Sequence, residues 1–167
     1  MLGSEKGNSS FAQWPDTSVA GIYLEAIYVL ECIAPPHLQI DRFLPPTPLR
    51  VLVDQHGNEG ADPSLLKNGD AQALLEHQEL RKDLLPVLME KAEAIVNRRT
   101  PEIVAQARKE MSGQLEYEIA RLKELQKVNR TVRTEEIELL VAEHRALDQH
   151  LKGARLRLDA IRLIQRG

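Results

Sequence analysis

Polar and apolar positions alternate with a period of two over residues 22–33, which is the spacing of a β-strand. One face would carry Ile22, Leu24, Ala26, Tyr28, Leu30 and Cys32. The other face would carry Glu25 and Glu31 among apolar side chains, and a helix would mix these two sets. The β-branched and aromatic content also favours a strand, which Pro35 and Pro36 end because proline cannot donate to a strand ladder.

Three shorter segments of the first part of the chain also have strand character, at residues 11–14, 38–42 and 49–54. The last is entered from the proline-rich residues 45–48 and closed by His56, Gly57 and Asn58, which are typical of a turn. These segments predict a small antiparallel sheet whose connections are set by proline.

From Asp70 onward the chain is dense in good helix formers, and we expect three long helices. Asp70 is a candidate N-cap for the first of them. Pro86 either kinks that helix or lies in the donor-free first turn of a new helix that Asp83 caps. Thr100 and Pro101 predict a clearer restart, with Thr as the N-cap and Pro at the first helical position.

The two later helices each carry an apolar stripe at spacings of three and four residues. The second helix has Val104, Ala107, Met111, Leu115, Ile119, Leu122 and Leu125. Residues 128–133 interrupt the pattern, and Thr134 then opens a last helix with Ile137, Leu140 or Val141, Leu147, Leu151, Ala154, Leu158 and Ile161. The short connection predicts an antiparallel helical hairpin at the C-terminus, with Leu115, Ile119 and Leu122 facing Leu147, Leu151 and Leu158.

These elements predict the α+β class, with a small antiparallel sheet from the N-terminal part packed against three long helices. We expect residues 1–167 to form a single domain, with a β-rich part at 1–69 and a helical part at 70–167. The β-rich part has 4 Lys and Arg against 8 Asp and Glu, and seven of the nine prolines lie in it.

Composition excludes several classes of function. The formal charge is −3 and aromatic residues make up only 4%, which argues against a nucleic-acid stacking platform. The single cysteine, Cys32, excludes a disulfide framework and any zinc site with several cysteines. No apolar run approaches the roughly 18–20 residues that span a bilayer, and the N-terminus lacks a signal-peptide core, so we expect a soluble cytosolic protein.

The sequence offers no catalytic residues, no cofactor-binding residues and no metal ligands. The five histidines lack ligand spacing, since His144 and His150 would face apart on a helix. Cys32 lies on an apolar face, where a free cysteine is usually a small buried hydrophobe. Residues 3–10 lack the order of a phosphate-binding loop, and Asp54 beside His56 belongs to a turn signal.

One basic feature stands out. Lys152, Arg155, Arg162 and Arg166 would form a ridge on one side of the last helix, interrupted by Asp159. Such a ridge is either a solvated helix face or a docking surface for an acidic partner.

Three blocks of the sequence carry a family resemblance. The proline-punctuated residues 24–54 are the specific part, and residues 118–129 and 157–164 agree in order and spacing. Together they resemble the C-terminal region of the RapA family of bacterial RNA polymerase-associated proteins. Arg130 stands where the family tends to carry proline, and Pro101 falls where relatives run an unbroken helix.

The resemblance implies a role in regulating transcription. RapA-like proteins are ATP-dependent, helicase-like remodelling translocases that bind DNA and RNA polymerase and help to recycle the polymerase. Their ATP and Mg²⁺ are held by motifs that this sequence lacks. The resemblance therefore implies a non-catalytic accessory or docking domain in the bacterial cytoplasm. RNA polymerase and the ATPase lobes of the parent protein would be its partners, with DNA bound only through the parent and no membrane or metal involved.

The alternative is a free-standing helical module for oligomerisation or protein interaction. Sustained heptads would support it. The stripe from Val104 to Leu125 drifts away from a strict period of 3.5 residues, as a coiled coil would not.

Overall fold

A computed structural model describes residues 8–14, 21–60, 67–68 and 78–166. Its strands are β1 (Asn8–Trp14), β2 (Gly21–Glu31), β3 (Thr47–Asp54), β4 (Lys67–Asn68) and β5 (Arg155–Arg166). Its helices are α1 (Gln78–Val128) and α2 (Thr134–Lys152). The α+β class is confirmed, and among the described residues no helix is long and apolar enough to cross a membrane.

The described strands form one mixed sheet in the order β3-β2-β5-β1-β4. Strand β1 runs parallel to β5, with Asn8 opposite Ala160 and Trp14 opposite Arg166, and antiparallel to β4. The expectation of a purely antiparallel sheet drawn from the N-terminal part is therefore wrong. Its middle strand, β5, comes from the end of the chain, where a helix was predicted.

The predicted strands at 11–14, 22–33 and 49–54 are confirmed in β1, β2 and β3. In β2 the predicted apolar face is buried at Leu24, Ala26, Tyr28 and Leu30. The strand predicted at 38–42 is wrong, because that segment forms two 3-10 turns, Pro36–Leu38 and Ile40–Arg42. Proline at the first position of the first turn fixes φ for a helical turn, and Gln39 joins the turns with a φ of 48°.

Helix α1 passes through both Pro86 and Pro101, so the restart predicted at Thr100 is wrong. An interior proline costs a helix about 3 kcal/mol. Buried side chains on both sides of Pro101, at Val96 and Ala107, supply packing that favours an unbroken helix. The N-cap predicted at Asp70 lies outside the described residues. The described residues hold two α-helices, because the segments predicted as the first and second helices meet in α1.

Helix α2 begins at Thr134, as predicted, but ends at Lys152. The N–H of Gly153 donates to the carbonyl oxygens of Gln149 and His150, both at 3.1 Å, and the chain then enters β5. Leu158 and Ile161 therefore lie on a strand, and the helical part does not extend to residue 167. Residues 155–158 alternate Arg-Leu-Arg-Leu, a strand period that the helical stripe concealed.

The contacts divide the chain into two compact units. The first comprises Met1–Val29, Pro48–Arg99 and Arg157–Gly167, and its described core includes Leu24, Val51, Val53, Leu88, Val96 and Ile164. The second comprises Leu30–Thr47 and Thr100–Leu156, and its described core includes Leu38, Phe43, Met111, Leu115, Leu147 and Leu151. Each unit draws residues from both sides of the predicted boundary at 69/70, and a single domain over 1–167 stays a prediction.

Candidate docking surfaces

The four basic residues singled out from the sequence do not share a helix face. Lys152 is the last residue of α2, whereas Arg155, Arg162 and Arg166 lie on β5. The prediction of a ridge required a helix that continues past Gly153, whereas the helix ends at Lys152 with Gly153 as its C-cap.

Three of these residues have partners within the chain. Lys152 Nζ lies 2.7 Å from Asp148 Oδ2, and Arg155 Nη2 lies 3.5 Å from Glu31 Oε1. Arg162 donates from Nε to Ser10 Oγ at 3.2 Å, while the side chain of Arg166 lies outside the described residues. A docking role for the four stays a prediction, and any partner would have to compete with these contacts.

Asp148 links α2 to α1. Its Oδ1 accepts a hydrogen bond of 2.8 Å from Arg108 Nε, and its other oxygen pairs with Lys152. The hydrogen bond from Arg108, followed by that from Lys152, lowers the pKa of Asp148 below its ordinary value. The Asp148 carboxylate is therefore favoured in its charged form and contributes to the packing of α2 against α1 in the second unit.

Two more contacts join the same helices. Ser112 Oγ lies 3.1 Å from His144 Nε2, and Gln126 Nε2 donates to Thr134 Oγ1 at 3.2 Å. As the residue number rises along α1, the number of its partner on α2 falls. Since Arg108 pairs with Asp148, these contacts cover most of the length of α2.

The turn between α1 and α2 is held by its own hydrogen bonds. Asn129 Oδ1 accepts from the backbone N–H of Thr131 at 3.0 Å and from its hydroxyl at 2.7 Å. Val132 is buried, and its carbonyl accepts from Gln126 Nε2 at 3.4 Å. With Val132 fixed inward, the neighbouring Arg130 and Arg133 are left exposed.

Sequence reasoning treated this turn only as a break between helices. Residues 121–133 contain five cationic side chains, Arg121, Lys123, Lys127, Arg130 and Arg133, against one carboxylate, Glu124. All six are exposed. The density of charge was visible in the sequence, but its exposure required the structure.

A shallow groove lies elsewhere in the second unit. Buried Phe43, Leu44 and Ala107 contribute apolar lining, Glu102 and Glu110 add carboxylates, and the volume is about 420 Å³. Glu110 accepts a hydrogen bond from Gln106 Nε2 at 2.8 Å. The groove can admit an apolar side chain beside a cation.

Two further residues considered from the sequence as candidates for catalysis are Cys32 and Asp54. Cys32 is half-buried, and burial followed by the nearby charge of Asp41 raises the pKa of its thiol. Burial alone would raise the pKa of Asp54, but hydrogen bonds from the backbone N–H groups of Asn58 and His56 lower it overall. Asp54 therefore organises the turn after β3, as the sequence indicated.

Metal-ligating residues do not cluster in the described ranges. Within residues 8–14, 21–60, 67–68 and 78–166, no group of three or more His, Cys, Asp and Glu side chains is arranged to hold an ion. His77, one of the five histidines considered from the sequence, lies outside these ranges.

The described residues have an α+β fold, and their surface offers charged and apolar contact areas. The chain belongs to the family described as "RNA polymerase recycling family C-terminal", and the sequence profile of that family matches residues 1–165. This confirms the resemblance that the proline-rich block first indicated.

Curated relatives agree with this assignment. The chain is 34% identical over 153 residues to the RNA polymerase-associated protein RapA of Yersinia pestis (strain Pestoides F), an alignment that covers 87% of this chain. The RapA protein of Yersinia pseudotuberculosis serotype O:1b (strain IP 31758) is similar to the same extent. The chain spans 16% of the length of these relatives.

Proposed function

We propose that this chain is a non-catalytic docking domain of an RNA polymerase-associated, ATP-dependent factor that acts in transcription in the bacterial cytoplasm. Membership of the polymerase recycling family carries this proposal. The relatives are named for their association with RNA polymerase. Because the match spans 16% of their length, ATP, Mg²⁺ and DNA binding are assigned to the remainder of such a protein.

The proposed partners are RNA polymerase and the ATPase lobes of the parent protein. A docking domain needs a rigid frame, and the contacts of Arg108, Ser112 and Gln126 with α2 support an antiparallel helical hairpin as that frame. A partner bound along such a frame would be oriented without a large ordering cost.

The direct test is a binding titration of the 167-residue chain against purified bacterial RNA polymerase core enzyme at two ionic strengths. We expect saturable one-to-one binding that weakens as salt rises, together with no ATP turnover above a buffer control. Absence of binding at both salt concentrations would contradict the docking function. ATP hydrolysis that follows the chain through purification would contradict its non-catalytic nature.

A role in this docking for three of the four basic residues is tested by reversing Arg155, Arg162 and Arg166 to Glu together. We expect a lower association rate and a weaker dependence on salt, because exposed charges at an interface steer encounter. Since Arg155 pairs with Glu31, a second variant adds Glu31→Arg to restore that ion pair with its polarity exchanged. Unchanged binding in both variants would contradict a docking role for these arginines.

The same preparation distinguishes a helical oligomerisation module. Sedimentation of the chain alone at concentrations around those of the titration should give a monomer. A stable dimer that does not bind polymerase would favour the alternative.

A further inference from the structure

We propose that residues 121–133, called the basic turn below, are the surface with which this chain binds an acidic patch on a protein partner. This inference rests on the proposed docking function and specifies where that docking occurs. Three properties of the turn carry it: unpaired charge, exposed apolar side chains and a conformation fixed by internal hydrogen bonds.

The charge of the basic turn is largely uncompensated. Lys127 Nζ pairs with Glu124 Oε1 at 2.6 Å. Within the part of the chain that the structure describes, the side chains of Arg121, Lys123, Arg130 and Arg133 form no ion pair or hydrogen bond. Four unpaired cations within thirteen residues contrast with a chain whose formal charge is −3.

Several arginines elsewhere in the described chain are engaged. Arg42 pairs with Glu143, Arg50 with Glu25 and Arg108 with Asp148. An acidic partner approaching those arginines would have to displace a carboxylate of this chain. At the basic turn it would meet four cations that form no ion pair with the described residues, so the electrostatic gain is available without breaking an internal pair.

Apolar side chains among the cations indicate a protein partner. Val128 is 84% exposed and Leu125 is 42% exposed, and both lie on the last two turns of α1. A phosphate backbone gains nothing from valine and leucine, whereas protein interfaces combine an apolar centre with a charged rim. The turn contains no aromatic residue for base stacking, since the nearest in sequence is Tyr117.

The conformation of the turn is set before binding. Asn129 bonds to Thr131, Gln126 reaches both Val132 and Thr134, and Val132 is buried. The backbone that carries Arg130 and Arg133 is therefore ordered in the free chain. Binding would cost mainly the ordering of the arginine side chains, which favours recognition by a surface of fixed shape.

The test compares reversals of charge at two places in the second unit. Arg130→Glu with Arg133→Glu removes charge from the basic turn. The matched control is Lys109→Glu with Arg145→Glu, which reverses two exposed cations that also form no ion pair or hydrogen bond within the described residues. A third variant, Val128→Ala, shortens an exposed side chain and leaves the charge unchanged.

Binding of each 167-residue variant to RNA polymerase core enzyme is measured at about 0.1 M and 0.5 M salt. We expect the turn reversal to raise Kd about tenfold or more at the lower salt, mostly through a slower association rate, and less at the higher salt. The control reversal should change Kd less than about twofold. Val128→Ala should raise Kd severalfold through faster dissociation, and thermal unfolding should show that all variants are folded.

The outcomes separate this proposal from the function on which it rests. If the unsubstituted chain binds and the turn and control reversals have equal Kd values, the basic turn is not the binding surface. The docking function would still stand. Failure of the unsubstituted chain to bind polymerase would overturn both. Equally tight, turn-dependent binding to a random-sequence DNA duplex or RNA oligonucleotide would overturn the assignment of a protein partner.

Discussion

Arg50 Nη2 on β3 lies 2.6 Å from Glu25 Oε2 on β2, and the side chain of Glu25 is only 6% exposed. The alternation along β2 predicted Glu25 on a face shared with apolar residues. The structure shows how that face accommodates a carboxylate, because a neighbouring strand supplies a guanidinium. The side chain of Arg50 is 40% exposed, so its guanidinium stays partly solvated while it compensates the charge of the buried carboxylate.

Replacing Arg50 with Met should destabilise the first unit by about 2 kcal/mol, because it leaves a buried carboxylate without its charged partner. The measurement is urea unfolding followed by circular dichroism. The double variant Arg50→Met with Glu25→Gln should lose less than the sum of the single variants. Strictly additive losses would show that the pair contributes no coupling energy.

Two glycines should respond to alanine in opposite directions. Gly57 has a φ of 81° in the turn after β3, so Gly57→Ala should cost about 1 kcal/mol for a left-handed residue with a Cβ. Gly113 lies within α1, and an added Cβ would meet no atom within 4 Å. Gly113→Ala should therefore raise the free energy of unfolding by about 0.5–1 kcal/mol. Shifts of the same sign in thermal denaturation would contradict this reading of the two backbones.

Leu147 should be a major contributor to the core of the second unit. It is fully buried on α2, and Leu147→Ala should lower the free energy of unfolding by about 2–5 kcal/mol. Leu139 is on the same helix but 70% exposed, so Leu139→Ala should change it by less than about 0.5 kcal/mol. Comparable losses in chemical denaturation would show that this helix packs differently.

The contribution of Asp148 should depend on pH. Hydrogen bonds and charges from Arg108 and Lys152 lower its pKa below 3.8 in the folded chain, so its stabilisation is complete above that value. It is lost as the pH falls through the lowered folded pKa. Asp148→Asn should cost about 1 kcal/mol at pH 7, a modest figure because both cationic partners are partly solvated.

The comparison is made by denaturant titrations of both chains from pH 7 to pH 2. The difference between Asp148→Asn and the unsubstituted chain should narrow as the pH falls below 3.8 and through the lowered pKa of the folded chain. A difference that stays constant over the whole range would show that the carboxylate charge is not what stabilises the fold.

Strong local patterns were read correctly from the sequence. The alternation in β2 has a physical cause confined to neighbouring residues, because one face of a strand is buried along its length. The start of α2 at Thr134 follows equally local signals, a break followed by two acidic residues in the first turn. The turn after β3 was also recognisable, since Asp54, Gly57 and Asn58 are typical turn residues.

The errors arose where distant packing overrides a local signal. Pro101 resembles a helix start, yet α1 continues through it because burial on both sides outweighs a missing hydrogen bond. Leu158 and Ile161 fit a helical stripe, but their segment pairs with β1 from the opposite end of the sequence. The basic turn went unnoticed because a single sequence shows neither which cations are exposed nor which of them form no ion pair with the described residues.

The parallel pairing of β1 with β5 has a consequence for how the protein is made. About 150 residues separate the partners Asn8 and Ala160. Because of the chain entropy that is lost, closing so long a loop costs about 2 kcal/mol more free energy than closing a loop of ten residues. Since the ribosome translates β5 after every other strand of the sheet, the nascent chain must carry β1 and β2 without the strand that lies between them. The described sheet can therefore be completed only after β5 has been synthesised, and a stop codon just before Arg155 would remove its centre.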